Sequence, residues 1–185
     1  MNTLYFGVLY LLQYFLKVQE NYQLTINSDK KNILWLFFFI SLCLIFGNGL
    51  GGYFTFISVE TWYQTLNKPV FNPPEWVFGP VWTALYVLMG ISIWLIWKNK
   101  PSKTRTLGIR IFWLQLFFNV FWTYLFFGIQ RIDLGLLEII FLIFLICINI
   151  IYFYKIDKIA SYLLIPYLFW VLYASLLTYN IWILN

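Results

Sequence analysis

The chain is 185 residues long, with 62% hydrophobic and only 10% charged side chains. This is far from the roughly 25% charged share of soluble domains, so an integral membrane protein is expected. Lys and Arg number 12 against 7 Asp and Glu, a formal net charge of +5, and there is no histidine. The commonest transition-metal ligand and general base is therefore missing, which argues against ordinary hydrolytic or metal-centred chemistry.

In chain order, residues 1–31 come first. Their apolar run Leu4–Leu16 lacks a basic start and a small-residue cleavage pattern, and is short for a crossing. We read 1–31 as an N-terminal extension, with an interfacial helix as its expected structure. A crossing helix needs about 20 mostly apolar residues, and five such runs follow, at about Asn32–Phe54, Trp76–Trp97, Leu107–Phe127, Leu134–Tyr154 and Ile159–Ile183. The fold class expected is thus all-α, a five-transmembrane-helix bundle over residues 32–185. Short links near 128–133 and 155–158 make their flanking helices antiparallel neighbours.

The connection between the first two runs is unlike the rest. Trp62 to Trp82 reads WYQTLNKPVFNPPEWVFGPVW, and Pro69, Pro73, Pro74 and Pro80 prevent one regular helix there. Ten of the twelve basic residues fall in the N-terminal segment and around the loops at 98–106 and 155–158, leaving only Lys68 and Arg131 on the opposite side. By the positive-inside rule the basic side is expected to face the cytoplasm, with the proline-rich loop and the C-terminus across the membrane from it. The basic residues are spread over three loops, so nucleic acid is not an expected partner, whereas membrane lipid is.

Several helical faces carry candidate chemistry. In the second run Trp82, Leu85, Tyr86, Met89 and Ile93 share a face, as either a pocket wall or ordinary packing. In the third, Gln115, Asn119, Trp122 and Phe126 share a face that must point inward, because lipid offers amides no partners. Ligand contact and interhelical hydrogen bonding are both open there. In the fourth, Glu138 and Asn149 share a face. An intramembrane carboxylate is a site candidate, although pairing of Glu138 with Arg131 is the simpler account. In the fifth, Pro166 is read as a mid-helix kink, with Trp170 and the small Ala174 on one face. Gly47 and Gly51 in the first run form a small-xxx-small pair suited to close helix approach. Cys43 and Cys147 lie in apolar runs and indicate no disulfide framework.

The stretches WYQTLNKPVFNPPEWVFGPVWTALYVLMG at 62–90, QLFFNVFWTYLFFG at 115–128 and LIPYLFWVLYASLL at 164–177 resemble the TspO/MBR family, which includes translocator proteins and peripheral benzodiazepine receptors. The resemblance runs from about Ile33 to Asn185. It implies a pocket inside the bundle that binds porphyrins, sterols or synthetic apolar ligands, with the long first loop as its lid. Carried over by matching positions, it makes Trp62, Lys68, Pro69, Pro73 and Pro74 lid residues. It makes Tyr63, Trp76, Trp82, Tyr86, Asn119, Trp122, Glu138, Trp170 and Ala174 the ligand-binding set, with porphyrin as ligand and no cofactor or metal. The activity implied is that of a receptor or translocator in tetrapyrrole homeostasis or stress response. Light-dependent porphyrin degradation by the pocket tryptophans is an alternative, and a non-catalytic scaffolding role is another. Two departures qualify the resemblance. No Lys or Arg follows Tyr179, which weakens sterol recognition at that helix end, and the third run lacks the small-residue repeat linked to homodimer formation.

Overall fold

The computed structural model describes residues 17, 19 and 30–185. The interfacial helix expected before residue 30 lies outside them. Among the described residues there is no β-strand, and five helices are long and apolar enough to cross a membrane: Lys30–Val59, Glu75–Lys98, Lys103–Gly128, Ile132–Tyr154 and Lys158–Leu184. These enclose all five runs read from hydropathy, so the chain is an integral membrane helix bundle. Phe38–Asn185 forms a compact unit of its own.

We label the elements α1 (Lys30–Val59), α2 (Trp62–Thr65), α3 (Phe78–Lys98), α4 (Lys103–Thr123), α5 (Ile132–Tyr154), α6 (Lys158–Tyr162) and α7 (Ile165–Leu184). Helix α5 packs most extensively against α4 and then α7. The centre of the unit is apolar, with Cys43, Met89, Ile93, Ile96, Phe112 and Phe153 fully buried. Buried polar side chains tie helices together, as expected where lipid cannot satisfy them. Ser92 Oγ donates to Ala160 O at 2.6 Å, Asn149 Nδ2 to Gly108 O at 3.0 Å and Ser58 Oγ to Phe127 O at 2.6 Å.

Local sequence explains the ends. Glu75–Val77 forms a 3₁₀ turn after the extended Pro74, and α3 follows with Pro80 in its first turn, where a missing N–H leaves no intrahelical bond unmade. At the far end of α3, Arg105 Nε and Nη2 donate to the carbonyls of Ile96 and Trp97 at 3.1 and 2.6 Å, satisfying orphan acceptors at a helix C-terminus. Ser102 and Asp157 cap α4 and α6 by accepting from Arg105 N and Ala160 N. Helix α4 ends in a π-helical turn, Tyr124–Gly128, closed by Ile129 N to Tyr124 O and Arg131 N to Leu125 O, with Gln130 at φ 58°.

One local reading changes and another is refined. Pro166 does not kink a continuous helix. The fifth crossing is broken into α6 and α7 at Leu163–Leu164, and Pro166 lies in the first turn of α7, where it is tolerated. Gly47 and Gly51 do sit at close helix approaches, to Tyr86 and Thr123 respectively, but within a π-helical segment, Ile45–Gly51, and not a regular α-helix.

Candidate functional site

Two adjacent cavities lie at the lid end of the bundle. The inner one, about 50 Å³, is lined by Thr55, Tyr63, Phe78, Trp82, Trp122, Thr123, Phe126, Phe127, Trp170, Ala174, Leu177, Thr178 and Ile181. The outer one is a cleft of about 560 Å³ between α1 and α3, with walls from Gly47, Asn48, Gly51, Gly52, Thr55, Phe56, Val59 and Glu60 on one side. Glu75, Trp76, Phe78, Gly79, Trp82, Thr83 and Tyr86, with Thr123 of α4, complete it. Thr55, Phe78, Trp82 and Thr123 line both, so they form the wall that cleft and interior share.

The aromatic wall is built from helical spacing. Trp82 and Tyr86, one turn apart on α3, stack with centroids 5.4 Å apart and planes 21° apart. Trp82 meets Trp170 of α7 edge-on, at 6.5 Å and 90°, one of the preferred geometries of paired aromatic rings. On α4, Trp122 stacks on Phe126 at 5.0 Å. Gly47 lies over the phenol end of Tyr86, where any Cβ would overlap the ring. Opposite it, the Tyr86 hydroxyl donates to Asn119 Oδ1 at 2.6 Å. Asn119 therefore serves as the interhelical partner of a cleft residue, and lines neither cavity itself.

The lid is pinned by specific bonds. Tyr63 of α2 is buried against Phe126 and Phe127, and its hydroxyl donates to Asn72 Oδ1 at 2.8 Å. Burial pushes that phenol up to about 12, so it stays a donor at ordinary pH. Lys68 Nζ sits 4.6 Å from the centre of the Tyr63 ring. Gln64 Nε2 donates to Glu75 Oε1, Tyr173 OH to Phe71 O at 2.7 Å, and Asn67 N to Asn185 Oδ1 at 2.9 Å. The loop is thereby tied to the 3₁₀ turn that precedes α3, to α7 and to Asn185.

Against the residues singled out from sequence, the structure brings Tyr63, Trp82, Trp122, Trp170 and Ala174 together around the inner cavity, and places Trp76 and Tyr86 in the outer cleft. Trp76 is 74% exposed. Among the lid residues, Trp62 packs edge-on against Phe126, while Lys68, Pro69, Pro73 and Pro74 shape the loop without lining either cavity. Glu138 is 8% exposed and lines neither cavity. It does not pair with Arg131, which instead makes a two-point contact with Asp133 at 2.8 and 2.6 Å. Both Glu138 oxygens, both Gln115 amide atoms and the indole nitrogens of Trp122 and Trp170 are buried with no hydrogen-bond partner among the described residues.

Sequence reasoning missed the contribution of α1. Asn48 and Thr55 are two turns apart on an otherwise apolar helix, a polar stripe of the kind recognised on α4. Asn48 Nδ2 reaches across to Thr83 Oγ1 at 2.8 Å. Thr123, adjacent to Trp122, and Thr178, whose hydroxyl is bonded to Ala174 O, were also legible only once the helices were assembled. No group of three or more His, Cys, Asp or Glu side chains able to hold a metal occurs among the described residues.

The family model described as TspO/MBR family matches residues 39–183. The "Tryptophan-rich protein TspO" of Archaeoglobus fulgidus is 43% identical over 143 residues, 73% of this chain and 87% of that protein. The human "Translocator protein" is 32% identical over 123 residues, 65% of this chain and 73% of its own length. The "Tryptophan-rich sensory protein" of Cereibacter sphaeroides is 30% identical over 129 residues, covering 70% and 80% respectively. With its five apolar helices, its proline-broken lid and its tryptophan-lined cavities, the chain belongs to the TspO/MBR family.

Proposed function

We propose that this protein is a membrane receptor or translocator-like protein that binds porphyrins, and secondarily sterol-like apolar molecules, in tetrapyrrole homeostasis or a stress response. The observation that carries this reading is the cleft of about 560 Å³ whose aromatic wall, Trp82 on Tyr86, continues into a narrow indole-lined interior. Its volume falls within the roughly 300–1,000 Å³ of small-molecule sites, whereas the inner cavity of about 50 Å³ is too small for a tetrapyrrole ring. A planar apolar ring would lie on Trp82 from the cleft side, with the inner cavity accepting an edge or substituent near Trp170 and Ala174. The family names of the relatives, translocator and sensory protein, agree with a ligand-handling role. In this reading the ring is ligand and not cofactor, the loops at 98–106 and 155–158 face the cytoplasm, and a homodimer is compatible with the fold.

The test is quenching of intrinsic tryptophan fluorescence by protoporphyrin in lipid nanodiscs. Aromatic contacts contribute about 0.5–1.5 kcal/mol each beyond area burial, so Trp82→Phe with Trp170→Phe is expected to weaken binding about tenfold. Unchanged affinity in the double variant removes the pocket assignment.

The edge-on contact of Trp82 with Trp170 favours a second reading, light-driven oxidation of bound porphyrin with dioxygen as oxidant, because adjacent indoles can exchange an electron. Illumination of the protein with protoporphyrin and oxygen would then yield a new bilin-like absorption that the double variant does not produce. Bleaching equal to a protein-free blank removes it.

A further inference from the structure

The charges at the outer cleft carry information about its ligand beyond the cleft's size. Its lining is rich in aromatics, Phe56, Trp76, Phe78, Trp82 and Tyr86, and among the described residues its charged lining is Glu60 and Glu75. Glu60 stands at the C-terminal end of α1, beside the negative end of the helix dipole. Glu75 accepts from the neutral amide of Gln64. Among the described residues, the other charged side chains in the first loop and the link before α5 are Lys68, Arg131 and Asp133. Arg131 is taken by Asp133, the one ion pair among the described residues. Lys68 lies over the Tyr63 ring, and its Nζ donates to Gln64 Oε1 at 3.4 Å. Among the described residues, the cleft is therefore lined by two carboxylates and no cation, beside an aromatic surface.

We propose that this cleft selects an amphipathic cation, a ligand whose apolar body lies on the faces of Trp82 and Tyr86 and whose positively charged head sits at Glu60 and Glu75. The aromatic faces add to the preference, because a ring quadrupole attracts a cation and not an anion. The inference rests on the reading of this cleft as the ligand site, but not on the ligand being a tetrapyrrole. A tetrapyrrole bound here would keep its carboxylate arms in solvent, away from Glu60 and Glu75.

The experiment uses tetraphenylphosphonium and tetraphenylborate, ions of near-equal size and opposite charge, with the full chain in nanodiscs of zwitterionic phosphatidylcholine. Binding is read by equilibrium dialysis after subtraction of empty discs. Partly exposed charge pairs are weak individually, so two carboxylates are expected to favour the phosphonium about tenfold, with the preference shrinking as salt is added. Glu60→Gln with Glu75→Gln should abolish the preference, the thermal midpoint serving as the check on folding. If the double variant does not fold, Glu60→Gln alone should reduce the preference about threefold. A phosphonium-to-borate ratio identical in wild type and variant overturns the proposal, as does the failure of both ions to bind above empty discs. Protoporphyrin quenching on the same samples separates the two readings. Charge-selective phosphonium binding without porphyrin binding removes the tetrapyrrole reading alone, and porphyrin binding with an unaltered ion ratio removes this one alone.

Discussion

Gly47→Ala is the most informative single substitution, because a matched control lies two residues away. A Cβ on Gly47 would come closer than 3.0 Å to Cζ, Cε1 and Cε2 of Tyr86, whereas a Cβ on Gly49 meets nothing within 4 Å. Both glycines lie in the same π-helical stretch, so both variants gain a similar backbone benefit of about 1 kcal/mol. Ordinary carbon contacts need about 3.5–4.0 Å, so the Tyr86 ring has to retreat by roughly an ångström or more. That movement breaks its 2.6 Å bond to Asn119. Leaving the buried Asn119 acceptor unpaired costs about 1–3 kcal/mol, and overpacking costs about 1–3 kcal/mol more. Gly47→Ala should therefore be about 2–6 kcal/mol less stable than Gly49→Ala. For a chain of this size that corresponds to a difference of about 4–24 °C in thermal midpoint, measured in one detergent for both. Because Tyr86 stacks on Trp82, the near-ultraviolet circular dichroism of Gly47→Ala should also weaken. Equal midpoints and equal spectra for the two variants would refute the close approach of α1 to Tyr86, and with it the geometry of the cleft wall.

Other consequences are simpler to state. Glu138→Leu replaces a buried, unpartnered carboxyl with an apolar side chain, so the thermal midpoint should rise by a few degrees. A fall would mean that the carboxyl has a stabilising partner. Tyr63→Phe removes the bond to Asn72 while keeping the ring against Phe126 and Phe127. Limited proteolysis within 66–75 should accelerate about three- to tenfold, corresponding to a lost hydrogen bond of about 1 kcal/mol. Asn185→Ala removes both side-chain bonds to the backbone of Asn67 and should give a similar acceleration, with no change in the near-ultraviolet spectrum of the aromatic wall. Gly90→Ala should destabilise the bundle without touching the cleft, since its Cβ would lie 2.5 Å from the backbone Cα of Ile40.

Hydropathy and proline chemistry were enough to determine that this is a five-span membrane protein with an irregular first loop. Both are local: about 20 apolar residues must form a helix in lipid, and four prolines within twelve residues cannot lie inside one. Helical spacing likewise showed that Gln115, Asn119 and Trp122 face inward, and the structure buries all three. The tertiary structure alone decided what those faces meet. Arg131 prefers Asp133 two residues away, leaving Glu138 alone in the interior, because the cap of α5 holds that arginine outside the bundle. Asn119 bonds to Tyr86, whose ring has room in that position only because residue 47 carries no Cβ. The cleft itself was invisible in the chain, since one wall comes from the first crossing and the other from the second. Its volume depends on the separation of two helices, which no residue spacing within either helix encodes.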